Sequence, residues 1–116
     1  MFNMGTDKET KILKKIAKMD RPFDTIGKQL HETITKANPE LEPTTWYGAP
    51  AYTKNGEVLC FFRVDGEFMT FGLTEKATFA PNKNAPHNLM GSAWFLTQFN
   101  EATKEQISAI VRQSTS

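Results

Sequence analysis

Apolar residues recur every three or four positions over the first third of the chain and every second position after that. Ile12, Leu13, Ile16 and Ala17 form the first helical stripe, and Lys8, Lys11, Lys14, Lys15 and Lys18 lie away from it. That spacing predicts a helix over about residues 6–18. Thr6-Asp7-Lys8-Glu9 matches a capping box at its start, a hydroxyl and a carboxylate satisfying each other's backbone donors. Phe23, Ile26, Leu30, Ile34 and Ala37 make a longer stripe. Asp20 is a candidate N-cap for it and Pro22 fits a first turn. Pro39 disfavours helix at Asn38, so the second helix stops there.

From residue 43 the period falls to two. Thr44-Thr45-Trp46 and Ala51-Tyr52-Thr53-Lys54 read as short strands, and Glu57 to Val64 as a long one. Asn55-Gly56 and Asp65-Gly66 suit two-residue hairpin turns, because these residues tolerate positive φ. Glu67 to Phe71 returns as the next strand and Gly72 ends it. Residues 74–90, rich in Pro and Asn, read as a long loop. Ala93 to Leu96 is a further strand, and Ile107, Ile110 and Val111 give a last helix an apolar face. Thr103-Lys104-Glu105-Gln106 repeats the capping-box pattern, and Ser114-Thr115-Ser116 is expected to fray. Helices, then an antiparallel run of strands, then a helix predicts a two-layer α+β fold. Two N-terminal helices and a C-terminal one cover one face of a mainly antiparallel sheet. Residues 1–116 read as one domain, with neither repeats nor a linker.

Alternation sorts the long strand into two faces. Val58, Cys60, Phe62 and Val64 carry no charge and are assigned to the helix-covered core. Glu57, Leu59, Phe61 and Arg63 face the other way, apolar in the middle and charged at the ends. Such a face has three explanations: the long loop closes it, a second copy covers it as a homodimer, or it walls a ligand cleft.

Charge narrows the partners. Fourteen basic and thirteen acidic residues leave a net charge of +1, so no global field draws nucleic acid or an anionic membrane. The lysine face of the first helix reads as solvated, since Asp7 and Glu9 sit beside it and no base-stacking motif accompanies it. A single cysteine, Cys60, rules out an internal disulfide and suits a reducing compartment. No apolar run approaches the ~20 residues of a membrane span, and the N-terminus lacks a secretory pattern. A cytoplasmic protein without nucleic-acid or membrane partners is the expectation.

Chemistry is sparse. His31, His87 and Cys60 show no ligand spacing, so neither a metal site nor a cofactor is called for. His31 reads as a helix-surface or semi-buried residue, His87 as solvated, and Cys60 as a core thiol rather than a nucleophile. Glu57 and Glu67 could come near each other across the Asp65-Gly66 turn, although both read as strand-end charges. The unusual segment is Trp46-Tyr47-Gly48-Ala49-Pro50-Ala51-Tyr52. Its rings either line a pocket for a flat or cationic molecule or pack the sheet edge while Gly48 and Pro50 turn the chain. The candidate ligand-binding set is therefore Trp46, Tyr47, Gly48, Pro50, Tyr52, Leu59, Phe61 and Arg63.

These segments resemble the YdhG-like family of small bacterial proteins, a domain of unknown function. The likeness rests on Ala37-Asn38-Pro39-Glu40, the Trp46 to Tyr52 segment, Glu57 to Phe62, Phe68 to Gly72, and Ala93-Trp94-Phe95 before a final helix. It spans about residues 10–113. The resemblance implies an α+β fold and a cytoplasmic location, without a settled activity or catalytic residues. Some relatives are described as frataxin-like intracellular iron chaperones, a role suited to clustered carboxylates. In this chain the first helix is lysine-rich and the acidic residues are scattered. The expectation is a non-enzymatic binding or interaction module, with iron chaperoning as the alternative and an enzyme acting on a small aromatic or cationic molecule third. Trp46→Ala discriminates the two roles of the ring in a denaturation experiment. A buried ring costs roughly 3–5 kcal/mol and a freely exposed one below about 1 kcal/mol.

Overall fold

The computed structural model describes residues 4–79 and 83–116. Helices α1 (Met4–Ala17) and α2 (Phe23–Ala37) precede strands β1 (Glu42–Trp46), β2 (Ala49–Lys54), β3 (Glu57–Asp65), β4 (Phe68–Leu73) and β5 (Ala93–Leu96), and α3 (Glu101–Ser114) follows. The sheet is an antiparallel meander in the order β1-β2-β3-β4-β5. The helices pack against the sheet, giving the α+β fold that the change of period predicts.

The core lies between the helices and the inner face of the sheet. Ile12 and Ile16 from α1, Ile26, Leu30 and Ile34 from α2, and Ile107 and Val111 from α3 meet Tyr52, Cys60, Phe62, Met69 and Phe71. Gly27 lets α1 approach α2. A Cβ there would stand 2.9 Å from the Ile16 Cγ2 methyl and 3.3 Å from the Met19 sulfur.

Three hairpins join β1 to β4, each with a two-residue turn. Tyr47-Gly48 and Asn55-Gly56 both have positive φ at both positions, at 51° and 78°, and at 55° and 80°. The third turn lies one residue later than expected. Asp65 pairs with Phe68, so Gly66 and Glu67 form the turn, and only Gly66 has positive φ. This hairpin separates Glu57 from Glu67, placing them at opposite ends of β3, so the two carboxylates do not meet.

A bulge corrects the assignment of faces on β3. Tyr52 pairs with Cys60 but Thr53 pairs with Val58, leaving Leu59 as an extra residue. An extra residue breaks strict alternation. Leu59 joins the core cluster, and Val58, opposite Thr53, is only half-buried. Cys60 and Phe62 are fully buried as expected.

Helix ends depart from the sequence signals. Helix α1 starts at Met4, so Thr6 and Glu9 do not form a terminal box; the Thr6 side chain lies outside the described residues. Pro22, not Asp20, occupies the N-cap of α2, without a side-chain cap bond. Helix α3 begins at Glu101, capped by Asn100, whose side-chain oxygen accepts from the Thr103 amide at 2.8 Å. Nor does the end fray: Ser114 and Thr115 are buried. The Asn38 amide donates to the Thr115 hydroxyl at 2.9 Å, Lys54 Nζ donates to the Thr115 carbonyl at 3.1 Å, and the Thr78 amide donates to the Ser114 carbonyl at 2.7 Å. In the long loop, Thr74 to Ala77 closes over the end of β3, with the Thr74 amide donating to the Leu59 carbonyl. Residues 80–82 of that loop lie outside the described residues.

Gly27→Ala tests the α1–α2 approach. Overpacking against Ile16 is expected to cost about 1–3 kcal/mol, more than the ~1 kcal/mol that Ala returns as helix propensity. The urea midpoint should fall; a rise would show that the helices have room there.

Candidate functional site

The eight candidate residues separate into three places. Tyr52 and Leu59 are in the core. Trp46 and Phe61 pack on the outer sheet face, ring centroids 5.1 Å apart, and both are half-buried. Helix packing does not cover this face, and Phe61 fits there because Gly72 opposite has no side chain: a Cβ would stand 2.6 Å from its ring. The Trp46→Ala loss is therefore expected between the two limits given above. Tyr47, Gly48, Pro50 and Arg63 line a cleft of about 390 Å³ at the end of the sheet.

That cleft forms where the Tyr47-Gly48 turn overhangs the last turn of α1. Met19, Ala49, Pro50 and Val64 supply its apolar surface, and Lys15, Lys18 and Arg63 supply three cations. No carboxylate lines it. Lys15 and Lys18 have no salt-bridge partner among the described residues, whereas Arg63 Nε donates to Asp65 at 2.9 Å and its guanidinium stacks 5.7 Å from the Phe61 centroid. The Thr70 hydroxyl, and then Arg63, hold the Asp65 carboxyl below its ordinary range. Tyr47 is 91% exposed and rests edge-on against Trp46, 4.8 Å between centroids.

Sequence reasoning missed a second arrangement. His31 is buried, not at the helix surface, and bridges two elements. Its Nδ1 lies 2.7 Å from the Tyr52 hydroxyl and its Nε2 lies 2.8 Å from Glu9 Oε2. Burial first, then Cys60 and Glu9, push the Tyr52 hydroxyl well above its ordinary pKa, so it keeps its proton. Nε2–H donates to the Glu9 carboxylate, which can only accept, and with a neutral ring the Tyr52 hydroxyl is the donor to Nδ1. The chain Tyr52–His31–Glu9 links β2, α2 and α1. It has an acid–base appearance, but Tyr52 is fully buried and substrate cannot reach its hydroxyl. The signal available in sequence was His31 lying one position past Leu30 on the α2 stripe. Beside this chain, burial pushes the Cys60 thiol up to about 12, so it is no nucleophile at neutral pH.

His87 is exposed in the loop, its Nδ1 accepting from the Leu89 amide. Among the described residues, no three His, Cys, Asp or Glu side chains gather as a metal would need, and no helix is long and apolar enough to cross a membrane. A smaller depression between α2 and α3 carries Glu32 and Glu101 as well as Lys36 and Lys104, and has no net field. Compared with protein-family models, characterised proteins and solved structures, the chain matches none.

The buried chain gives two expected outcomes. Tyr52→Phe leaves His31 Nδ1 without its partner and should cost about 1–3 kcal/mol in urea denaturation. Tyr52 and Cys60 both hold protons more tightly folded than unfolded. The corresponding stability is complete below their ordinary values of 10.0 and 9.0 and declines as pH rises above them. The urea midpoint should therefore drop from about pH 9 upward, with less decline in Cys60→Ser. An unchanged midpoint up to pH 11 or so would contradict the buried placement of both groups.

Proposed function

We propose that this protein is a non-enzymatic binding module whose ligand is a small organic anion with a flat, apolar body, held under the Tyr47-Gly48 turn. The supporting observation is Tyr47 itself. Its φ of 51° is in the left-handed region, costly for an aromatic residue and ordinary for Asn or Gly. The next hairpin uses Asn-Gly for the same backbone shape. The edge contact of Tyr47 with Trp46 leaves the ring 91% exposed beside an open cleft. Lys15, Lys18 and Arg63 around apolar walls select negative charge, which reverses the cationic ligand considered from the aromatic residues alone. The expected resemblance to the YdhG-like family is compatible with such a module.

The geometry favours neither alternative. Iron delivery needs gathered hard oxygen ligands, and the described residues offer no such group. Catalysis by Tyr52 needs access that its burial denies. The cleft also leaves the outer sheet face free for a separate role.

Titrating the protein with aromatic carboxylates and aryl phosphates, followed residue by residue by NMR, tests this reading. Shifts should concentrate at residues 15–19, 47–50 and 63–64. Lys18→Glu and Tyr47→Ala should each weaken binding by about tenfold or more, in line with loss of one charge-assisted or ring contact. Shifts centred elsewhere, or equal binding by both variants, would refute the cleft.

A further inference from the structure

We propose that β5 is a self-association edge, along which two copies of this chain pair antiparallel to make one ten-stranded sheet. The two ends of the sheet are unlike. At one end β1 carries Glu42 and Pro43 and is packed by α1, the usual means of blocking an edge. At the other end β5 pairs with β4 alone and has no such device among the described residues. Its strand, Ala-Trp-Phe-Leu, has neither charge nor proline. Residues 84–100 contain no Asp, Glu, Lys or Arg, in a chain where 23% of residues are charged. An open, uncharged, aromatic edge is a template for another strand.

Both sides of that edge are prepared for an added strand. On the outer face Phe95 is 68% exposed and meets Phe68 edge-to-face, 4.9 Å between centroids. On the inner face a groove of about 390 Å³ runs between β5 and α3, with Leu96, Ile107 and Ile110 among its walls. Alternate side chains of a strand laid along β5 would fall on the Phe pair and into the groove.

Charge selects the occupant. A two-fold axis brings a surface against itself, so any charge near the axis meets its own sign. An edge cleared of charge meets that requirement. A foreign segment would be selected through complementary charges, and this edge presents none. With the axis at Phe95, the two inner faces stay aligned: Phe95 of one copy lies opposite Phe95 of the other, and Trp94 opposite Leu96. The contact is small, so exchange between monomer and dimer in the micromolar range is expected.

Sedimentation equilibrium of the full chain over a concentration series is the test. The native protein should shift from monomer to dimer mass. Phe95→Lys, which sets like charges on the axis, should weaken the dimer by at least tenfold, and Thr45→Lys on the opposite edge should leave it unchanged. Thr97→Lys, on an exposed residue beside β5, sets a charge against Ala93 of the other copy and serves as the second variant if Phe95→Lys melts early. A monomer into the millimolar range overturns the proposal. So does a dimer that survives both β5 variants, or one that Thr45→Lys alone dissolves.

Discussion

A tyrosine hydroxyl inside an apolar core needs an acceptor, and the architecture is organised around supplying one. Tyr52 is fully buried on β2 against Phe62. An unmet hydroxyl there would cost more than the ring's packing comfortably offsets. His31 meets it and in turn needs an acceptor for its own proton, which Glu9 provides at the protein surface. The requirement thus passes from β2 through α2 to α1 until it reaches solvent. Apolar packing alone would tolerate many sliding arrangements of α1 over α2. The directional pair of hydrogen bonds selects one, and Gly27 permits the close approach it demands.

That selected arrangement puts the last turn of α1 beneath the β1–β2 turn, which creates the cationic cleft. It also commits all three helices to the inner face and leaves the outer face to its own aromatic side chains. Trp46 and Phe61 settle there by sinking toward Ala51 and Gly72, small residues on neighbouring strands. Phe68 and Phe95 have no such depression and stay exposed near the β5 edge. The two faces therefore differ in cover, the inner one packed by helices and the outer one bearing exposed rings, and the cleft and the β5 edge lie at opposite ends of the sheet.

The stripes at Ile12, Ile16 and at Phe23 to Ile34, and the period-two run from Glu57, carried the architecture plainly, because burial on one side of each element writes a period into the residues. Strand β5 was legible to the residue. What failed were features set by tertiary partners. The bulge at Leu59 depends on the pairing of Tyr52 with Cys60, which no local pattern encodes. Glu9 looked like a cap because its alternative partner is twenty-two residues away. Thr115 looked like a loose end because Asn38 and Lys54, which hold it, are distant in sequence. Of the candidate residues, Tyr47, Gly48, Pro50 and Arg63 line one cleft. Lys15 and Lys18 were read as a solvated face and are exposed; that they also border the cleft comes from the overhanging turn, which nothing on α1 announces. Tyr52 was grouped with its neighbours by sequence, but alternation along β2 sends it to the opposite side from Ala51.

The bonds that hold Thr115 have a temporal meaning as well. Asn38 and Lys54 wait for a residue made 77 and 61 positions later. During synthesis the helix α2 and the first hairpins emerge early, but their polar ends stay unmatched until α3 has left the ribosome. Contacts spanning such separations form late in folding. A nascent chain interrupted before α3 would display the Met69, Phe71 and Trp94 side of the sheet without Ile107 and Val111 to cover it. Completion of this fold thus waits for α3, and the interval before it is when the chain is most open to chaperones and to misassociation.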